Sequence, residues 1–154
     1  AGRDGDFSAS DHPMANAVVR ETLRLYPPIM QLIRDVDAEI SIGDVTVAPG
    51  ATAVIAIYAM HRHRRGWQNP DNFVPERFLG GGADSAQRAF WTPFGSGPRG
   101  CIGSSLARVE MTLFVSMICA RFNLFPNPDS SLRCHARWAL RPIGEAPLFV
   151  SPRA

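Results

Sequence analysis

The chain contains no lysine: all sixteen of its basic residues other than histidine are arginine. Fourteen acidic residues stand against them, and the resulting formal charge of +2 is too small to mark a nucleic-acid-binding surface. Exclusive use of arginine, with abundant Ala and Gly, points to a GC-rich coding sequence and so to a bacterial source rather than to a function. Cysteine is scarce as well. Cys101, Cys119 and Cys134 are too few and too scattered for a disulfide framework, which favours a reducing, cytoplasmic setting. Long hydrophobic runs are missing: the longest, Ala51–Met60, has ten residues and cannot span a bilayer, so no membrane segment is evident. The first residues show no signal-peptide pattern, and there is no internal repeat or low-complexity tract. What the chain does have is 45% hydrophobic content over 154 residues, enough for one core.

Residues 1–12 are polar and rich in Gly, Asp and Ser, and read as a linker or frayed end. Spacing predicts a helix over Pro13–Leu25, with Pro13 suited to its first turn and Pro27-Pro28 stopping it. Ile40 and Ile42, then Val45 and Val47, alternate around Gly43-Asp44, which predicts a two-residue hairpin. Pro49-Gly50 turns the chain into Thr52–Tyr58, a β-branched-rich run expected as a buried strand. Residues 66–100 hold little periodicity but four phenylalanines (Phe73, Phe78, Phe90, Phe94) and two tryptophans (Trp67, Trp91), the anchors of an irregular yet ordered segment. A second helix is predicted over 102–121, with Leu106, Val109, Leu113 and Met117 on one face. Beyond it the tail offers strand candidates at Leu132–Leu140 and Leu148–Ser151. The expected class is α+β, mainly helical, with short antiparallel hairpins between and after two main helices.

The most specific stretch is F-G-S-G-P-R-G-C-I-G, residues 94–103, directly before the second helix. Gly95, Gly97, Gly100 and Gly103 allow positive φ and a flat backbone, and Pro98 fixes a corner. Arg99 sets a permanent cation near the Cys101 sulfur, and the following helix N-terminus suits an anionic ligand. A buried structural cysteine in a Gly-rich loop is the bland alternative. Zinc fits poorly, because no second Cys or His lies at C-x-x-C or H-x-x-x-H spacing from Cys101. Two further segments add to this one. E-T-L-R places Glu21 and Arg24 three residues apart on one helix face, where an ordinary surface ion pair is also possible, and P-E-R-F follows at residues 75–78.

In this order the three segments resemble the E-x-x-R helix, the P-E-R-F segment and the haem-ligand loop of the cytochrome P450 monooxygenases. The resemblance runs from about Asn16 to the C-terminus, with Phe94, Gly97, Arg99, Cys101 and Gly103 matching the loop's defining positions. It implies that Cys101 is the thiolate ligand of haem b, with Phe94, Gly95, Gly97 and Gly103 around it. It further implies that Arg77 joins Glu21 and Arg24 in a structural triad. Arg99 and Arg34 would take the haem propionates, although a solvated strand-end charge also explains Arg34. His61 would reach a propionate in such a fold, or else stand as a partly exposed polar residue. Ile29 and Met30, with Trp138 and Ala139, correspond to segments that line the substrate pocket, though core packing explains apolar residues there equally. The run His61-Arg62-His63-Arg64-Arg65, with Arg88 and Arg108, reads either as a solvated face or as a docking face for an acidic electron donor.

Family members are longer, and their oxygen-activating helix precedes the E-x-x-R helix. The chain is therefore expected as a single partial domain over residues 1–154, the C-terminal portion of a monooxygenase. The activity implied is insertion of one oxygen atom from O2 into a small apolar organic substrate, with a ferredoxin- or flavoprotein-type donor supplying electrons. Two alternatives stand beside it: a haem-binding or inert fragment without turnover, and an O2-independent haem-thiolate isomerase or dehydratase.

Overall fold

The structure is a computed structural model that describes residues 11–80, 85–129, 133–136 and 139–153. The first ten residues of the expected frayed end, and Trp138, lie outside the described residues. Helix α1, Pro13–Leu25, starts with proline in its first turn, and its last turn is tied by the Tyr26 N–H to the Thr22 carbonyl (2.7 Å) before Pro27-Pro28. Strands β1 (Leu32–Asp35) and β4 (Thr52–Ile55) enclose the hairpin β2 (Ile40–Ile42) and β3 (Val45–Val47). Gly43 takes φ +59° at the hairpin turn, where an L side chain would be strained. A four-residue helical turn, α2 (Ile57–Met60), comes next, then a long meander with a 3-10 turn at Pro75–Phe78 and the short helix α3 (Ser85–Phe90). A second 3-10 turn at Gly97–Arg99 leads to α4 (Ser104–Arg121), and strands β5 (Phe122–Pro126), β6 (Arg133–Ala136), β7 (Leu140–Ile143) and β8 (Leu148–Pro152) complete the chain. All four ladders among the described residues, β1–β4, β2–β3, β5–β8 and β6–β7, are two-stranded and antiparallel.

Helix α1 is the organising element because both of its sides are used. Ala17, Glu21 and Arg24 recur at helical spacing and are fully buried, while Val19 and Leu23 are buried on an adjoining strip. Ala17 packs with Trp67 and Phe78, and Leu79, Phe90 and Trp91 close around them. The strip Val18, Val19, Thr22 and Leu23 faces Met111, Phe114 and Val115 of α4 across an apolar cleft. The meander is thus ordered by its aromatic residues, as expected, with the exception of Phe73, which is exposed.

Several expectations need correction. The strand after Pro49-Gly50 ends at Ile55 and is largely exposed, because β4 pairs with β1 alone and Ala56 turns the backbone so that α2 buries Ile57 instead. Helix α4 starts at Ser104, and the face of Leu106, Val109 and Met117 is exposed; the buried residue on this helix is Thr112, and the contact with α1 runs through Met111 and Val115. Of the strand candidate 132–140, Arg133–Ala136 form β6 and Leu140 begins β7, while residues 132, 137 and 138 lie outside the described residues; β5 was not anticipated because α4 passes into it at Phe122 with no Gly or Pro between.

The accessible surface is 11322 Å², against about 7,600 Å² for a compact monomer of this mass. The exposed apolar side of α4 and the two-stranded ladders, whose strands β5, β6 and β8 are mostly exposed, contribute to that surface.

Gly66 is closely packed against Phe90 within the meander. A Cβ there would lie 2.6 Å from ring atoms of Phe90, which is itself stacked on His63 with ring centroids 5.3 Å apart. Gly66→Ala should therefore cost about 1–3 kcal/mol through displacement of that ring. An unchanged denaturation midpoint would show that the ring moves freely.

Candidate functional site

Arg24 is a guanidinium out of water with every one of its donors used. Its Nε donates to Glu21 Oε2 (2.7 Å) and its Nη2 to Glu21 Oε1 (2.9 Å) and the Asn72 carbonyl (3.0 Å). Its Nη1 donates to the carbonyls of His61 (2.8 Å) and Pro70 (2.6 Å). The Glu21 carboxylate also accepts from Arg77 Nε (3.2 Å) and the Val74 N–H (2.8 Å). Burial alone would raise the Glu21 pKa, but the Arg24 hydrogen bonds, the Val74 N–H and the charges of Arg24 and Arg77 outweigh it and hold the carboxyl below its ordinary value. Arg24 and Arg77 both lie over the Trp67 ring, at 5.1 and 5.8 Å from its centroid. Glu21, Arg24 and Arg77 are thus in contact, and they fasten the start of the meander to α1.

His61 is fully buried, which corrects its expected place as a partly exposed residue. The apolar run before it carries the chain inward at Ile57, and Arg62 turns back to donate to the Leu25 carbonyl (2.7 Å) and to lie over the Tyr58 ring (3.8 Å). The His61 ring bridges the Arg24 carbonyl (Nδ1, 3.1 Å) and the Thr92 N–H (Nε2, 2.9 Å). Burial, reinforced by the charges of Arg24 and Arg62, brings its pKa down to about 4 against the pull of its backbone hydrogen bonds. Of the basic run, His63, Arg64 and Arg65 remain exposed, while His61 and Arg62 leave it and Arg108 bonds to the Ser104 carbonyl of its own helix. The Arg88 side chain lies outside what the structure describes.

The cysteine loop hangs from the end of the meander. Thr92 accepts from the Gly95 N–H (3.1 Å), and the Phe94 carbonyl accepts from the Cys101 N–H (2.9 Å), closing the loop on itself. Gly95 and Gly97 have φ +71° and +68°, so the expected left-handed backbone holds at these two. It does not hold at Gly100 (φ −62°) or Gly103 (φ −83°). At Gly100 the demand is for space, since a Cβ would lie 3.2 Å from the Gly97 carbonyl oxygen; at Gly103 a Cβ would make an ordinary contact with the Cys101 sulfur. The Gly95 backbone lies against Leu32, so β1 flanks the loop. Phe94 is half-buried, and Cys101 is a free, exposed thiol. Arg34 and Arg99 are exposed, and among the described residues neither pairs with a carboxylate. Ile29 is exposed and Met30 half-buried; Ala139 adjoins them, because the Leu140 N–H donates to the Pro28 carbonyl (2.9 Å).

Residues 8–145 match the sequence pattern of the family described as Cytochrome P450. The chain belongs to the cytochrome P450 family. Among similar proteins, the steroid 17-alpha-hydroxylase/17,20 lyase of Ovis aries is 40% identical over 122 residues, covering 77% of this chain and 24% of that protein. Human cytochrome P450 3A7 is 34% identical over 133 residues (86% and 26%), and the cyclooctat-9-en-7-ol 5-monooxygenase of Streptomyces melanosporofaciens is 38% identical over 136 residues (88% and 29%). The chain spans about a quarter of the length of these curated relatives.

Cytochrome P450 membership implies haem iron with a cysteine thiolate ligand, and the donor chemistry at Cys101 fits it. Among the described residues no group of three or more His, Cys, Asp or Glu could hold a bare metal ion. A lone exposed sulfur suits a metal that brings its other ligands with it, as porphyrin iron does. Sequence reasoning missed the interior role of His61, and also Arg20, whose guanidinium lies 4.3 and 4.9 Å from the Phe78 and Trp91 ring centroids while its carbonyl accepts from Trp91 Nε1 (3.3 Å). A cation on the first helix gives no outward sign of aromatic partners that lie more than fifty residues away in the chain.

Proposed function

We propose that this chain supplies the sulfur-ligating side of a haem-thiolate monooxygenase that inserts one oxygen atom from O2 into an apolar organic substrate. The observation that carries this reading is the free Cys101 thiol on a self-closed glycine turn, joined through Thr92 to the buried Glu21–Arg24–Arg77 cluster. Haem b, when bound, supplies the activation of O2. Cys101 would be its axial ligand, with Phe94, Gly95, Gly97 and Gly103 along the loop that faces it, and Arg34 and Arg99 available to its propionates. Ile29, Met30 and Ala139 form an apolar rim for substrate, in keeping with relatives named as a steroid hydroxylase and as a cyclooctat-9-en-7-ol monooxygenase. The exposed His63, Arg64 and Arg65 offer a positive patch to an acidic electron donor of ferredoxin or flavoprotein type. The rest of the haem pocket is supplied by sequence outside these residues.

The test is the absorption of the reduced, CO-treated holoprotein, which should show the long-wavelength band of thiolate ligation. Cys101→Ala should abolish that band. Cys119→Ala and Cys134→Ala should keep it, since those residues lie late on α4 and in β6, away from the glycine turn. Survival of the band without Cys101 would overturn the reading. Product formation without O2 uptake would favour the isomerase or dehydratase alternative.

For the 154 residues by themselves a second reading has its own support: Ile102, beside the ligand, and Leu106 and Phe114 of α4 are broadly exposed. A loop that covers one face of a flat ring buries too little of it for tight binding. The isolated chain should therefore take up haem weakly and turn nothing over; tight stoichiometric uptake in a haem titration would refute this.

A further inference from the structure

The His61 ring has one bonding pattern that satisfies both of its neighbours. The Arg24 carbonyl can only accept and the Thr92 N–H can only donate, so Nδ1 carries the proton and Nε2 offers its lone pair. The bond to Arg24 is reciprocal, because Arg24 Nη1 donates to the His61 carbonyl (2.8 Å). On the far side, Thr92 is the root of the cysteine loop: its carbonyl takes the Gly95 N–H, and the next carbonyl in the path, that of Phe94, takes the Cys101 N–H. A continuous line of hydrogen bonds and short backbone links thus runs from the Glu21–Arg24 pair through the His61 ring to Thr92 and on to Cys101.

We propose that His61 is a positioning residue for the cysteine loop, its neutral imidazole fixing the 92–95 turn, and through it Cys101, to the buried carboxylate–guanidinium cluster on α1. The charges acting on the ring come from Arg24 on α1 and from the adjacent Arg62, both cations. They oppose a proton on Nε2, which would also set two donors, Nε2–H and the Thr92 N–H, face to face. The Trp91 Nε1–H to Arg20 carbonyl bond (3.3 Å) anchors the preceding residue to the same helix, so the loop root is held at two successive positions. Only the spectroscopic part of the test rests on Cys101 being the haem ligand; the hydrogen-bond relay stands without it.

Two conservative variants separate positioning from bulk. His61→Asn keeps a donor where Nδ1 stands, toward the Arg24 carbonyl, but falls short of Thr92. His61→Gln carries a carbonyl oxygen out to where Nε2 stands. Amide hydrogen exchange of the full chain should be about tenfold faster at Thr92 and Cys101 in the Asn variant than in the Gln variant, with the β2–β3 hairpin amides the same in both. In the haem-loaded protein, the share of the reduced CO complex at the thiolate position should fall in the Asn variant and recover in the Gln variant. Equal exchange at Thr92 in the two variants, with the hairpin intact, would overturn the proposal. Loss of hairpin protection in both variants would also overturn it, since His61 would then be a general core residue. A thiolate band that survives Cys101→Ala removes the family-based reading and leaves the exchange result to decide the relay on its own.

Discussion

Arg24→Leu should destabilise the chain by about 3–5 kcal/mol, enough to abolish the cooperative unfolding transition of a protein with little stability to spare. The size follows from what is left behind. Glu21 would remain buried with Arg77 and one backbone N–H for company, and the carbonyls of His61, Pro70 and Asn72 would lose their shared donor. Arg24→Lys should recover only part of this, since three donors on one ammonium cannot reproduce a fork that meets a carboxylate side-on and reaches three carbonyls besides. Urea unfolding followed by tryptophan fluorescence is the direct measurement, because Trp67 lies under the Arg24 guanidinium. A Lys variant as stable as the parent would show that charge, and not the fork, holds the meander.

The second large effect is a loss of stability in acid that comes in two stages. In the unfolded chain His61 takes up a proton around its ordinary value of 6.5, while in the folded chain it resists doing so down to about 4. Between those values the unfolded state binds more protons, so stability falls as the pH is lowered, by about 3 kcal/mol across the window. Glu21 acts lower down. Its folded pKa is depressed from 4.5, so its contribution is complete above that value and is lost as the pH drops through the folded pKa. His61→Gln should flatten the slope between pH 6.5 and 4 and leave the lower stage in place. A slope that persists unchanged in that variant would assign it to other groups.

How much of this could be read from the residues depends on how local each signal is. The bounds of α1 and the β2–β3 hairpin were legible, because Pro13, Pro27-Pro28 and Gly43-Asp44 act on their own backbone. The contact side of α4 was not. Apolar residues occur all around that helix, so its pattern alone does not say whether Leu106 or Met111 turns inward; that is settled by where α1 lies. The Glu21–Arg24 spacing was visible, yet an i, i+3 pair looks the same on a surface as in a core, and only the resemblance to the P450 family brought in Arg77. His61 was misjudged for a related reason: within a run of histidines and arginines the sequence cannot show which member the fold draws inward. Gly103 was expected to need a left-handed backbone, and the structure gives it an ordinary one.

The partners of Arg24 have a consequence for the order of events during folding. Its backbone acceptors lie 37, 46 and 48 residues further along the chain, the groups that join Glu21 lie 53 and 56 residues away, and Trp91 reaches Arg20 across 71. Helix α1 can coil early from local contacts alone, but its charged pair stays hydrated until these large loops close, and closing them costs conformational entropy that no single bond repays. The cluster therefore sets late, as one event, and acts chiefly as a brake on unfolding: it is a latch on the finished fold more than a nucleus for it.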